Sequence, residues 1–321
     1  MGGKRADFDL CSTRDWQFFL SAGEENKERR ERQVTSCLGK VKVGEKQARK
    51  LGLKPYTQTS PALTKCCLRL CAQNSFEQAE ENIKVLMGLS VGHSSLHRFM
   101  EQTEIQEAEA IEKVDSASID GGKVALRCEG GREWKDYKAV TLSDGTCEAF
   151  FQQPEQLLSW SEQLPLSPIF TCLGDGHDGV WRLTTNFGGS LVAIRREVLD
   201  WFHLIENLHK VQMLPSMHRW LEHLLWHGAV ESALQFLLPI KQHRSQCFQN
   251  YLRKHRQRLP DYHLYQQLGL PIGSGKVEST IKQIGFRVKL AGASWNQCNV
   301  PKILRLRTAF LNNSPALSIS T

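Results

Sequence analysis

From Ser60 onward the apolar positions fall into a helical rhythm. Leu63, Cys66, Cys67, Leu70 and Cys71 recur three and four apart, the spacing that gathers side chains on one helix face. Ser75 predicts the cap of a second helix, with Gln78 three residues on to complete a capping box. Phe76, Ala79, Ile83 and Leu86 form its apolar face, and Gly88 breaks it. Ser90 starts a third helix holding Val91, Leu96 and Phe99. Helix, glycine turn, helix is a helix-turn-helix outline. It would expose His93, Ser94, Ser95, His97 and Arg98, types suited to base edges and phosphates; a plain helical hairpin has the same outline. Glu104 to Lys113 predicts a connecting helix. Before Ser60 the chain is polar and weakly patterned. There the mixed-charge run Glu24 to Arg32 predicts a solvated helix, Gly39 to Gly44 a short strand, and Gly52 to Pro61 a linker.

The rhythm then shortens to two. Ser116 to Arg127 predicts a strand, a turn or bend at Gly121–Gly122, and a second run. Trp134 to Leu142 alternates as a strand does, and Glu148 to Phe151 extends a meander. Ile169 to Leu173 is an apolar run that stops at Gly174-Asp175-Gly176, as a buried strand does at a loop. Beyond Asp175 the helical period returns in Arg195 to Val211, Met217 to Trp226, Ala229 to Leu238 and Gln242 to Arg258. Pro271 to Gly275 is a loop. Lys276 to Leu290 is a helix with Val277, Ile281, Ile284 and Val288 at core spacing, and the tail from Ser314 is expected to be disordered.

Composition narrows the class. At 321 residues the chain can hold one large domain or two ordinary ones. A net charge of +7 favours a polyanionic partner. Met1 to Asp15 lacks the apolar core of a signal peptide, and the apolar runs are too short to span a bilayer. A cytoplasmic location is therefore expected. The ten cysteines are scattered, with no C-x-x-C pair, and read as reduced, buried helical thiols.

Three acids stand out against this frame. Asp120 and Asp175 sit at glycine-flanked strand ends, where open sheets collect ligands and where an Asx-turn is the plain alternative. Glu278 lies in the first turn of its helix. Two metal ions about 4 Å apart suffice for phosphoryl transfer on DNA, and hard Mg²⁺ takes carboxylates and water. The chain around Glu278 is basic: Lys276, Lys282, Arg287, Lys289, Lys302, Arg305 and Arg307. Phe286 and Trp295 interleave, so this segment predicts phosphate contact with an aromatic to stack on a base, or a cationic helix with Trp295 in the core. Asp200 and His203 share a helix face, and His177 and Asp178 lie close enough to Asp175 to support or replace it.

The segment GLPIGSGKVESTIKQIGFRVKLAGASWNQCNVPKILRLRTAF resembles the C-terminal signature of ISKra-type bacterial insertion-sequence transposases. SIDGGKV with REWKDYKAV resembles that family's first catalytic strand and its partner, and LGDGHDGVW its second aspartate segment. LDWFHLIENL resembles an Asp-x-x-His helix shared with Mutator-like transposases. The helical part from Ser60 to Arg98 is similar to the family's DNA-binding region. The resemblance implies an α/β fold: an RNase H-like core with a large all-helical insertion, preceded by a helix-turn-helix-like region. Its domains would be a polar N-terminal region (1–59), a helical DNA-binding region (60–113) and a catalytic domain (114–312) with the insertion at about 204–270, then the tail (313–321). It implies a DDE transposase that cleaves and transfers strands at insertion-sequence ends. Asp120, Asp175 and Glu278 would hold two Mg²⁺ or Mn²⁺ ions, with His203 auxiliary. Lys276, Lys282, Arg287, Lys289, Trp295, His97 and Arg98 would meet DNA. The partners would be transposon-end and target DNA and further copies of the chain, as a homodimer or larger, at the nucleoid. Members often carry an N-terminal cysteine-rich region. Here Cys11 and Cys37 alone precede Ser60, so that region is expected to be shortened. The alternatives are a decayed, inactive DNA-binding remnant and a related nuclease such as a junction resolvase.

Overall fold

The computed structural model describes residues 31–318 apart from residue 274. Cys11 and most of the mixed-charge run lie outside them. The chain divides into two compact units, one comprising residues up to 106 together with those from 305 on, the other Glu107–Leu304. The expected boundary at 113/114 thus falls seven residues earlier, and the C-terminal segment joins the first unit.

In the first unit β1 (Glu31–Ser36) and β2 (Gly39–Gly44) form an antiparallel hairpin with Val34 opposite Val41. β2 has the expected bounds. β1 takes the end of the run expected to be helical, because Val34 and Ser36 alternate inward and are buried. Helix α1 (Glu45–Lys50) closes this small core of Val34, Val43, Ala48 and Leu53. Helix α2 (Pro61–Cys71) starts at Ser60, whose Oγ accepts from Leu63 N at 3.2 Å. Cys67 and Cys71 are buried on it, and burial pushes the Cys67 thiol up to about 12. Helix α3 (Phe76–Met87) starts at Ser75, which accepts from Gln78 N. The Gln78 amide turns to Asn82 rather than back to the cap. Gly88 ends α3 at φ +64°, a left-handed position that glycine takes without a Cβ clash. Helix α4 (His93–Gln102) begins after Gly92, two residues later than Ser90 predicts, because the Glu80 carboxylate accepts from His93 N at 2.7 Å. Leu96 and Met100 are its buried pair, while Leu86, expected inside on α3, is 73% exposed. Residues 314–318, expected as disordered, form a turn: Leu317 is buried, and Lys65 Nζ donates to Pro315 O and Ser318 O.

The second unit opens on irregular chain where a helix is expected. Ala108 N donates to the Glu148 carboxylate and Trp160 Nε1 to Ala108 O, so these backbone groups are satisfied without a helix. A five-stranded sheet follows in the order β5-β4-β3-β6-β7, with β3 Val114–Cys128, β4 Gly131–Leu142, β5 Cys147–Phe151, β6 Leu166–Gly174 and β7 Ile194–Leu199. β4 runs antiparallel to β3 and β5, and β6 runs parallel to β3 and β7. β3 is continuous through Gly121 and Gly122, which pair with Lys138 and Tyr137 of β4, so the expected turn is absent. β7 and helix α7 (Trp201–His209) replace the single helix expected over Arg195 to Val211. Parallel pairing to β6 overrides the local helical period in IRREVL.

One sheet face buries Ala117, Ile119, Val140, Phe150 and Phe170 against helices α5 (Pro154–Ser161) and α6 (Asp178–Thr184), through Trp160, Val180 and Leu183. A second core gathers the helices that follow: α7, α8 (Pro215–Trp226), α9 (Val230–Leu237), α10 (His243–Lys254) and α11 (Tyr262–Gln267), around Leu204, Leu221, Leu237 and Leu252. Helix α12 (Gly275–Val288) then packs on β3 and β4, and α13 (Val300–Leu311) ends the ordered elements. Among the described residues no helix is long and apolar enough to cross a membrane.

Candidate active site

The chain leaves β3 for β4 and β5 on one side, then crosses to lay down β6 and β7 on the other. The winding therefore reverses between β3 and β6, the place in an open sheet where a crevice forms outside the strand ends. Ile119, Gly174 and Leu199 are register partners across β3, β6 and β7. The next residue in each case is an aspartate: Asp120, Asp175 and Asp200. Three acids thus follow one register row.

Asp120 lies within β3, opposite Ala139. Strand alternation buries Ala117 and Ile119 in one face and turns Asp120 to the other. Its Oδ1 accepts from Gly121 N at 2.5 Å. Burial pushes its carboxyl above the ordinary range and the nearby Asp175 adds to this, while Gly121 N–H, His203 and Lys138 oppose it. Gly122 leaves room for the Tyr137 ring on the same face. The Tyr137 hydroxyl is buried without a hydrogen-bond partner, and burial first and Asp120 second raise its pKa.

Asp175 ends β6. Its Oδ1 accepts from His177 N at 2.8 Å, an Asx-type turn, and Tyr251 Oη donates to its backbone carbonyl at 3.2 Å. Gly176 has φ +99°, and a Cβ there would lie 2.8 Å from Tyr251 Oη. Asp178 is exposed and paired with Lys254 at 2.6 Å, whose hydrogen bond lowers its pKa. His255 is buried beside Trp181 and Tyr251, and burial lowers its pKa to about 4, so the ring is neutral at physiological pH.

Asp200 caps α7. It is fully buried, and its Oδ1 accepts from His203 N at 2.9 Å and lies 3.4 Å from His203 Nδ1. Asp200 chiefly raises the His203 pKa; burial opposes, and Asp175 and Asp120 add to the rise. The Asp-x-x-His spacing therefore places an imidazole of raised pKa within electrostatic reach of the two other aspartates. Spacing alone suggested a shared face and did not reveal the buried cap or the third place in the register row.

Glu278 is half-buried in the first turn of α12, its carboxylate 2.6 Å from Lys282 Nζ. The preceding segment is pinned to α7: Trp201 N donates to Ile272 O at 3.0 Å, and a Cβ on Gly273 would lie 2.5 Å from the Phe202 ring. Asp120, Asp175 and Glu278 do not form a set of ligand atoms all within 4.8 Å of one another. Asp120 and Asp175 follow paired residues on neighbouring strands and sense one another's charge; Glu278 is paired with Lys282.

The basic segment divides. The Lys276 side chain is outside the described residues. Lys282 and Lys289 are exposed, as is Phe286 at 70%. Arg287 and Trp295, expected at the DNA, are core residues. Arg287 is buried with its guanidinium 5.1 Å from the Trp295 ring centre. Trp295 Nε1 donates to Val288 O, and its backbone bridges to Ala125 and Arg127 of β3. Trp295→Phe is expected to lower the unfolding free energy by about 1–2 kcal/mol, because Val288 O loses its donor, and to leave DNA affinity unchanged. Urea titration with a gel-shift assay checks both. On α4, Arg98 is exposed, whereas His97 is half-buried against the Phe76 ring and 3.6 Å from Glu101.

No protein-family model and no curated protein matches this chain.

Proposed function

We propose that this protein is a DDE-type DNA transposase with an RNase H-like core, acting on insertion-sequence ends in the cytoplasm at the nucleoid. The observation that carries the reading is Asp120 and Asp175 side by side where the sheet's winding reverses. The sheet order, with β4 reversed between β3 and β5, is the order an RNase H-like core requires. The helical segment between Asp200 and Ile272 fits the expected insertion.

The donor set suits hard cations. Asp120 and Asp175 each have one carboxylate oxygen engaged by a backbone N–H, and their mutual repulsion favours a cation between them. Glu278, now paired with Lys282, would be the third carboxylate to hold the ions. Two Mg²⁺ or Mn²⁺ ions, when bound, supply Lewis acidity to the attacking and leaving oxygens of a phosphodiester. The chain's own residues do the rest. Asp200 fixes the His203 ring and favours its protonated form, which offsets phosphate charge. Tyr251 holds the Asp175 backbone. Exposed Lys282, Lys289 and Phe286 on α12 offer phosphate and base contacts, as does Arg98 on α4. Two element ends must be paired, so the active form is a homodimer or larger.

A linear DNA carrying the inverted repeats that flank the reading frame tests this. Mg²⁺-dependent nicking at the repeat ends, followed by joining of the freed 3′-hydroxyl to target DNA, is expected. Cleavage of branched junctions without joining would identify a nuclease instead. End binding without nicking would leave a DNA-binding remnant.

A further inference from the structure

A second group of ligating side chains lies in the helical insertion, on elements that carry none of the three catalytic acids. His227, Asp261 and His263 each present one ligand atom, and these atoms all lie within 4.8 Å of one another. We propose that they bind one zinc-class divalent cation that ties the end of α8 to the start of α11.

The donor chemistry selects the ion. Two imidazoles and one carboxylate suit Zn²⁺ and its neighbours better than Mg²⁺, which prefers oxygen alone. Three protein ligands leave a fourth position for water. Bonds of about 2.0–2.2 Å need only a modest inward turn of the three side chains.

The scaffold under the ligands is fixed. Trp226 precedes His227, and Tyr262 lies between Asp261 and His263. These two rings stack at 6.3 Å and 14°. Tyr262 is fully buried, packs on Trp201 and donates from Oη to Leu199 O at 2.8 Å. Gly228, at φ +67°, lies so close to the 260–261 backbone that a Cβ would sit 3.0 Å from Asp261 N. The three ligands are thus held in register by their neighbours before any ion arrives. Asp261 spends Oδ1 on Leu264 N at 3.0 Å and keeps its other oxygen for a ligand. The Gln267 side-chain amide contacts His263 Nε2 at 3.3 Å; turned so that its carbonyl faces that nitrogen, it would accept the ring N–H and leave Nδ1 for the ion.

The full chain, stripped with a chelator and titrated with ZnCl₂, tests the site. One ion per chain is expected, with the melting temperature raised by roughly 5 °C at saturating zinc. Co²⁺ in its place should give visible d–d absorption. His263→Ala and His227→Ala should each weaken binding at least about tenfold. Asp261→Asn keeps the helix cap and removes the charge, so it should weaken binding without unfolding the chain. His209→Ala, at the separate His209–Glu222 pair, should leave the Co²⁺ spectrum intact, as should Asp120→Asn. Absence of zinc binding at micromolar concentration overturns the proposal. So does binding that survives Asp261→Asn and His263→Ala, or a signal that disappears with Asp120→Asn.

Discussion

Asp120→Asn is expected to cut Mg²⁺-dependent nicking of element-end DNA by about 10³-fold, or ~4 kcal/mol of transition-state stabilisation, with no loss of folded stability. The substitution keeps an acceptor for Gly121 N–H and removes one of two charges that share the crevice. Burial and Asp175 hold the Asp120 carboxyl above its ordinary range, so its ionised form is disfavoured in the fold. That penalty is absent below the unfolded carboxylate pKa, grows as pH rises from the unfolded to the raised folded value, and is full above the latter. The asparagine variant should therefore melt at the same temperature or higher at pH 7, with a flatter dependence on pH between those two values. A core residue would behave in the opposite way, since losing it would lower both quantities. Full nicking activity in Asp120→Asn, measured beside thermal melts of both proteins, would sink the assignment of Asp120 to the chemistry.

Much of this arrangement is legible in the sequence, and the rest is hidden for physical reasons. Ser60, Ser75 and Gly88 announce their helix ends because caps are local chemistry. β4, β5 and the end of β6 follow from alternation and a terminal glycine. β7 is not legible, because a six-residue strand flanking a helix shares its apolar spacing until β6 is placed beside it. The helix expected at Glu104 to Lys113 fails for a similar reason: Glu148 and Trp160, distant in sequence, take its backbone groups. Asp120 and Asp175 could be chosen by their glycine flanks. Asp200 is legible only as the partner of His203; its place beside Gly174 and Leu199 in the register row and its full burial are not. Trp295 and Arg287 show the limit of reading charge. A basic, aromatic segment looks like a nucleic-acid surface, yet stacking of the guanidinium on the indole makes both residues core.

The glycine pair after Asp120 allows the strand to be tested apart from the chemistry. Gly121→Ala and Gly122→Ala are adjacent changes with unlike expected outcomes. At Gly121 a Cβ meets the far end of Lys138, Nζ at 2.9 Å, and a flexible lysine moves aside, so the change should alter stability by less than about 1 kcal/mol. At Gly122 a Cβ would lie 2.2 Å from Tyr137 Cζ and 2.6 Å from Cε1. That ring is fully buried in β4 and has no free path out of the sheet, so Gly122→Ala should cost about 3 kcal/mol through overpacking. Tyr137→Ala alone should cost about 3–5 kcal/mol for the emptied volume. The two are in contact and must couple. With the ring gone, alanine at 122 fits, and by restoring a side chain to a strand interior it becomes neutral or mildly stabilising. The double variant should then match Tyr137→Ala rather than the sum of the two losses, a coupling of about 3 kcal/mol in denaturant midpoints. Simple additivity would mean that Gly122 is glycine for some reason other than the Tyr137 ring.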